Sequence, residues 1–206
     1  MGRCRGGSQH GRCSGWYCSS SRLQRCRLNR WLGVCASTLP VSATIARCDP
    51  VIAPSGAASL KVRGVPTGPE TRFQPVPADL GDADGMLVAS PANPTGTIIP
   101  RDELQAIAAV CRERAITIVS DEIYHGISYG METPSIIEVM PEAWVVNSFS
   151  KYFSMAGWRL GWLVAPEAAV AEMEKLAQNL FISMSTMAQY AALAGFEPGT
   201  REILEQ

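Results

Sequence analysis

The sequence predicts an α/β fold in which a mainly parallel sheet is flanked by helices. Short apolar runs of strand length recur along the chain, and between them lie longer segments whose apolar residues repeat at helical spacing. Strands that alternate with helices favour parallel pairing through crossovers. The regular pattern starts late, however, and the residues before it differ in composition.

Residues 1–55 are set apart on that ground. The first acidic residue is Asp49, and before it stand Arg3, Arg5, Arg12, Arg22, Arg25, Arg27, Arg30 and Arg47. Cys4, Cys13, Cys18, Cys26, Cys35 and Cys48 lie there too, leaving only Cys111 for the rest of the chain. A disulfide framework would suit a small secreted domain, whereas the acidic, cysteine-poor body points to the cytoplasm. Zinc binding is disfavoured by the absence of a Cys-x-x-Cys pair. A nucleic-acid arm would use lysine as well as arginine. An Arg- and Ser-rich, acid-free composition fits a transit peptide, but Gly, Cys and Trp interrupt any amphipathic helix. The expectation is a segment that is disordered or translated from a displaced reading frame, with the transit peptide as the alternative.

Residues 56–206 form the predicted body. Lys61 to Val65 reads as a short strand, followed by a turn-rich linker from Pro66 to Pro77. Gly85 to Ala89 is an apolar run of strand length. Pro100-Arg101-Asp102-Glu103 opens a helix with Asp102 as a candidate cap, and Leu104, Ile107, Ala108 and Cys111 recur on one helical face. Ile116 to Val119, Trp144 to Asn147 and Leu160 to Val164 are the next strands. A long helix is expected from Pro166-Glu167 to about Leu180, and another from Thr186 to Phe196. The Met- and aromatic-rich stretch from Leu180 to Tyr190 reads as helix packing or a subunit contact. The hydrophobic content of 47% is ordinary for a globular protein. No apolar run reaches the roughly 18 residues of a membrane span.

Three motifs carry chemistry. Ser148-Phe149-Ser150-Lys151-Tyr152-Phe153-Ser154-Met155-Ala156-Gly157-Trp158-Arg159 places a lysine in a small, hydroxyl-rich turn with an arginine downstream. A nucleophilic lysine must shed its proton, and arginine offers a forked charge suited to phosphate. Ser90-Pro91-Ala92-Asn93-Pro94-Thr95-Gly96 precedes it, and Ser120-Asp121-Glu122-Ile123-Tyr124-His125-Gly126 lies between. Singly, Asn93-Pro94-Thr95-Gly96 is a common turn, Asp121 a strand-end residue and Tyr124 a half-buried aromatic. Each of the three motifs follows a predicted strand, so all would open into one crevice at the carboxyl ends of the sheet.

Together the motifs, in this order and spacing, resemble the fold-type-I pyridoxal-phosphate enzymes, specifically the class I aminotransferases, from about Lys61 onward. The resemblance implies an incomplete large domain of that fold. It implies pyridoxal 5'-phosphate as cofactor, with Lys151 as the Schiff-base lysine and proton carrier. By the same resemblance Asp121 would face the pyridine nitrogen, Tyr124 and Asn93 the phenolic oxygen, and Ser148, Ser150 and Arg159 would serve the phosphate. Tyr124 and Lys151 are the implied catalytic pair; His125, next to Tyr124, is read as packing or as support behind the site, and is assigned no role. The implied substrates are an amino acid and a 2-oxo acid, and the implied assembly is a homodimer, with no nucleic acid, membrane or metal partner. The small domain with the family's carboxylate-binding arginine is expected to be missing. Two alternatives stay open: a lyase of the same fold, or a catalytically silent fragment.

Overall fold

The computed structural model describes the backbone of residues 43–52 and 58–206, and side chains from residue 63 onward. In chain order the elements are β1 (Ala43–Ile52), β2 (Ala58–Gly64), β3 (Gly85–Ala89), α1 (Arg101–Glu113), β4 (Thr117–Asp121), β5 (Trp144–Ser148), β6 (Gly161–Val164), α2 (Glu167–Leu180), α3 (Thr186–Ala194) and α4 (Pro198–Leu204). The described strands form one sheet in the order β2-β1-β3-β4-β5-β6.

The sheet has a parallel centre and antiparallel flanks. β3, β4 and β5 run parallel, in register from Gly85↔Thr117 to Ala89↔Asp121 and from Val119↔Trp144 to Asp121↔Val146. β6 returns antiparallel to β5, with Ser148 opposite Gly161. The loop 149–160 between them holds no crossover helix, and a parallel return would need one. On the other side β1 runs antiparallel to both β3 and β2.

That placement of β1 alters the expectation for the first 55 residues. Ala43–Ile52, expected outside the folded body, is a strand whose residues from Ala43 to Ala46 pair with those from Val88 to Gly85. An unpaired edge of β3 would leave a row of amide and carbonyl groups without partners, and the β-branched Thr44-Ile45 pair suits a strand there. Residues 1–42 and 53–57, with all the arginines and cysteines of the first 55 residues except Arg47 and Cys48, lie outside the described residues.

Other elements follow the sequence closely. β3 has the expected bounds, and α2 begins and ends where its pattern predicted. α1 buries Leu104, Ile107, Ala108 and Cys111, the predicted stripe. Its start differs: Pro100 is the cap residue, no side chain caps the helix, and Asp102 lies inside the first turn. Pro100 is fixed in an extended conformation that already launches the helix at Arg101, so Asp102 contributes charge near the positive helix end instead. α4 was not foreseen, because its seven residues bury nothing and carry no apolar stripe.

Alternation along the central strands decides where the core sits. Met86 and Val88, Ile118 and Val145 are buried on one sheet face, against α1. Full burial of each such side chain is worth about 1.5–3 kcal/mol. The Cys111 thiol lies in this core, where burial pushes its pKa up to about 11. The opposite parity, Ala89, Asp121 and Val146, is half-buried, and it carries the first candidate site residue. No helix among the described residues is long and apolar enough to cross a membrane.

Candidate active site

The three central strands run to one edge: Ala89, the last residue of β3, pairs with Asp121, the last of β4, and Asp121 with Val146, just before β5 ends at Ser148. The chain therefore leaves β3, β4 and β5 at the same edge, and the loops carrying Asn93, Tyr124 and Lys151 start side by side. In sheets of this kind that edge is where ligands bind.

Asn93 sits at the tip of a loop closed by hydrogen bonds from Ala92 N to the Thr97 carbonyl (2.9 Å) and from Gly96 N to the Ala92 carbonyl (2.7 Å). From there its Nδ2 donates to the Tyr124 hydroxyl at 3.3 Å. Lys151 Nζ lies 5.3 Å from the centroid of the same Tyr124 ring, on its face. Three of the sequence-predicted residues thus meet, although they come from three loops.

Asp121 closes β4. Its Oδ1 accepts from the Ile123 amide at 3.1 Å, forming a local turn that starts the Tyr124 segment. Burial raises the pKa of this carboxyl above its ordinary value; the Ile123 bond and the charge of His125 oppose that shift.

The lysine turn is held from below. Ser148 Oγ donates to the Leu160 carbonyl at 3.0 Å and accepts from the Ser150 amide at 3.1 Å; the Ser148 and Ser150 hydroxyls also touch. Phe149 is buried beneath the turn and packs against the rings of Phe153, Trp162 and Phe196, with centroids 4.8, 5.1 and 5.7 Å away. Such pairs add roughly 0.5–1.5 kcal/mol each beyond area burial. Arg159 has a left-handed backbone (φ 53°) and donates Nη1 to the Ala156 carbonyl at 3.1 Å, with its side chain exposed. A non-glycine residue held there costs about 1 kcal/mol, a strain that functional positions often store.

Sequence reasoning missed three residues. Glu122 is only 1% exposed; its Oε1 accepts from the Ser120 hydroxyl (3.2 Å), the Ser135 hydroxyl (3.0 Å) and the Ile136 amide (2.9 Å). His125 bridges from this carboxylate, with Nδ1 3.5 Å from Oε2, to the Ser90 carbonyl, with Nε2 at 3.0 Å. Gly126 has φ +87°, and a Cβ there would stand 2.6 Å from the Tyr152 ring. The signal for Glu122 was its parity: it shares a sheet face with Ile118 and Ser120, which are buried.

The crevice is open. Asn93 and Arg159 are exposed, whereas Asp121, Tyr124, Ser148, Ser150 and Lys151 are partly covered. A concavity of about 340 Å³ lies instead at the amino ends of β4 and β5, beside Cys111, Thr117 and Trp144. Its charged residues, Arg112 and Glu142, are paired with each other at 2.6 Å, so it offers no comparable chemistry.

Comparison with known proteins shows the family. The profile of the family described as aminotransferase class I and II matches residues 58–204. A valine–pyruvate aminotransferase of Mycobacterium tuberculosis is 44% identical over 148 residues, 69% of this chain and 38% of that protein. An aspartate aminotransferase of Geobacillus stearothermophilus is 36% identical over 147 residues, 66% of this chain and 37% of that protein. A crystal structure of an aminotransferase from Mycobacterium tuberculosis superposes with a TM-score of 0.66 at 42% identity, covering 68% of this chain and 40% of that one. The chain thus spans less than two fifths of the curated relatives it matches. On its profile match and its mixed sheet with a parallel centre, the chain belongs to the aminotransferase class I and II family.

Proposed function

We propose that this chain is the cofactor platform of a pyridoxal-phosphate-dependent aminotransferase, moving an amino group between an amino acid and a 2-oxo acid. The family is generally dependent on that cofactor. The observation that carries the reading is the meeting of Asn93, Tyr124 and Lys151 at the sheet edge where Asp121 ends β4.

The donor set fits the cofactor. Lys151 is the attachment point and proton carrier, Asn93 and Tyr124 are donors for a phenolic oxygen, and Ser148, Ser150 and Arg159 suit a phosphate. When bound, the cofactor supplies an electron sink for the pair freed at the substrate Cα. Asp121 prefers a cation beside it: burial raises its pKa in the free protein, and a protonated ring nitrogen would offset that cost. The profile match begins at residue 58, and β1 upstream of it pairs with β2 and β3, so the platform's sheet takes in residues before the proposed boundary near 55. The acidic, cysteine-poor body supports a cytoplasmic site of action. Exposed Leu180, Ile182, Met187 and Tyr190 support a family-like homodimer.

Titration with pyridoxal phosphate, followed by absorbance, tests the reading. A saturable visible band is expected, and its spectrum should change on adding an amino acid and revert on adding a 2-oxo acid. Valine and pyruvate are the first pair to assay, given the name of the Mycobacterium relative. A folded chain that binds no cofactor would contradict the proposal.

Arg159 provides a second, opposed pair of readouts. Asn tolerates the left-handed backbone that Arg159 adopts. Arg159→Asn should therefore leave thermal stability unchanged or raise it slightly, while weakening cofactor binding by about tenfold or more, the loss of a charge-assisted contact. Equal affinity in both proteins would remove Arg159 from the phosphate site.

A further inference from the structure

We infer that His125 is a positioning residue: its ring fastens the loop bearing Asn93 to the turn bearing Asp121 and Tyr124, by holding one proton in common with buried Glu122. The inference rests on the cofactor reading above for its consequence, though not for its geometry.

A carbonyl oxygen can only accept, so the ring nitrogen 3.0 Å from the Ser90 carbonyl, Nε2, must carry a hydrogen. Nδ1 then faces Glu122 Oε2 at 3.5 Å. That oxygen is buried and has no hydrogen-bond partner, whereas Oε1 already takes three donors. Two unpaired acceptors facing each other, a ring lone pair and a buried carboxylate, would repel. Two protons would leave an imidazolium beside a neutral acid, with its nearest counterion lost. One proton between Nδ1 and Oε2 satisfies both groups, either as imidazolium and carboxylate or as neutral ring and neutral acid.

Burial raises the pKa of Glu122, which favours keeping that proton. The other carboxylates that sense His125 are Asp121 and Glu138. Glu138 is already engaged by Arg101 at 2.7 Å and by the Ser135 amide at 2.9 Å. Asp121 is engaged by Ile123, so Glu122 is the partner for Nδ1.

The consequence falls on the site. Ser90 leads through Pro91 and Ala92 to Asn93, and Glu122 stands between Asp121 and Tyr124. The ring therefore spans the two loops whose tips meet in the Asn93–Tyr124 hydrogen bond. At 3.3 Å that bond is long, and without the tie nothing else described joins the base of one loop to the base of the other except the Ser90 N to Asp121 carbonyl bond at 3.2 Å.

Nitrogen-15 NMR of the full cofactor-free chain, labelled at histidine, tests the proton placement. The chain has two histidines, His10 and His125, so a His10→Gln background isolates the signal. A protonated, slowly exchanging Nε2 is expected near neutral pH. A ring protonated on Nδ1 alone, with bare Nε2, would overturn the inference whether or not the cofactor binds. The consequence is read from variants. His125→Gln keeps an N–H donor at the Nε2 position, and His125→Asn does not reach it. Pyridoxal phosphate affinity should stay close to that of the unmodified chain for Gln and fall about tenfold for Asn, the loss from leaving a buried acceptor unpaired. Equal affinities for the two variants would overturn the positioning role. Failure of the unmodified chain to bind would instead refute the cofactor reading and leave the NMR result to decide the proton placement.

Discussion

Lys151→Ala should abolish measurable transamination while leaving the fold intact. The lysine is partly covered, stands over the face of Tyr124, and makes no core contact whose loss would open a cavity. Its turn is held by Phe149, Ser148 and the Leu160 carbonyl, none of which the substitution touches. What disappears is the one lysine at this strand edge among the described residues, and with it the proposed attachment point and proton carrier. Loss of a positioned acid–base group alone costs on the order of 10²–10⁴-fold in rate. Steady-state rates of the unmodified chain and the variant, with circular dichroism as a folding control, check this. Identical rates would mean that the chain, which spans less than two fifths of its curated relatives, does not turn over substrate by itself.

Gly126→Ala should be the most damaging single-methyl change near the site. The residue has φ +87°, which costs an alanine about 1–2 kcal/mol. A Cβ there would also sit 2.6 Å from the Tyr152 ring, well inside contact distance. Crowding of that kind costs typically another 1–3 kcal/mol, so the sum is roughly 2–5 kcal/mol. The effect should reach function as well, because the ring that must retreat belongs to the neighbour of Lys151. Urea denaturation should show the loss, and pyridoxal phosphate affinity should fall with it. A variant as stable as the parent would mean that the glycine's backbone and the Tyr152 ring are not in contact.

The legible parts of this molecule are those set by local pattern. β3 was readable from its five-residue apolar run, α1 from the spacing of Leu104, Ile107, Ala108 and Cys111, and α2 from the proline before it and its length. The site motifs were readable from their order and spacing, which resemble those of a known family, and their placement after strands that end on one edge agreed with that reading. Three features were not legible. β1 lies in sequence whose composition matches the residues before it, and only its pairing with β3 makes it part of the sheet. The antiparallel return of β6 depends on how loop 149–160 folds, which period alone does not give. His125 was read as packing or support behind Tyr124, with no role, because the partner that fixes its ring is remote: the Ser90 carbonyl lies 35 residues away, and the nearby Glu122 is tied to Ser135, 13 residues further on. Two ends of a hydrogen-bonded ring that come from different strands leave no periodic trace.

The central claim, that Lys151 anchors pyridoxal phosphate at this strand edge, is tested most directly by trapping the adduct. The full chain would be mixed with pyridoxal phosphate, reduced with borohydride, digested, and its peptides analysed by mass spectrometry. The account predicts a phosphopyridoxyl group on Lys151, formed in proportion to the visible band and absent from Lys151→Ala. Labelling spread over Lys61 and Lys175, or a folded chain with Lys151 unmodified, would contradict it.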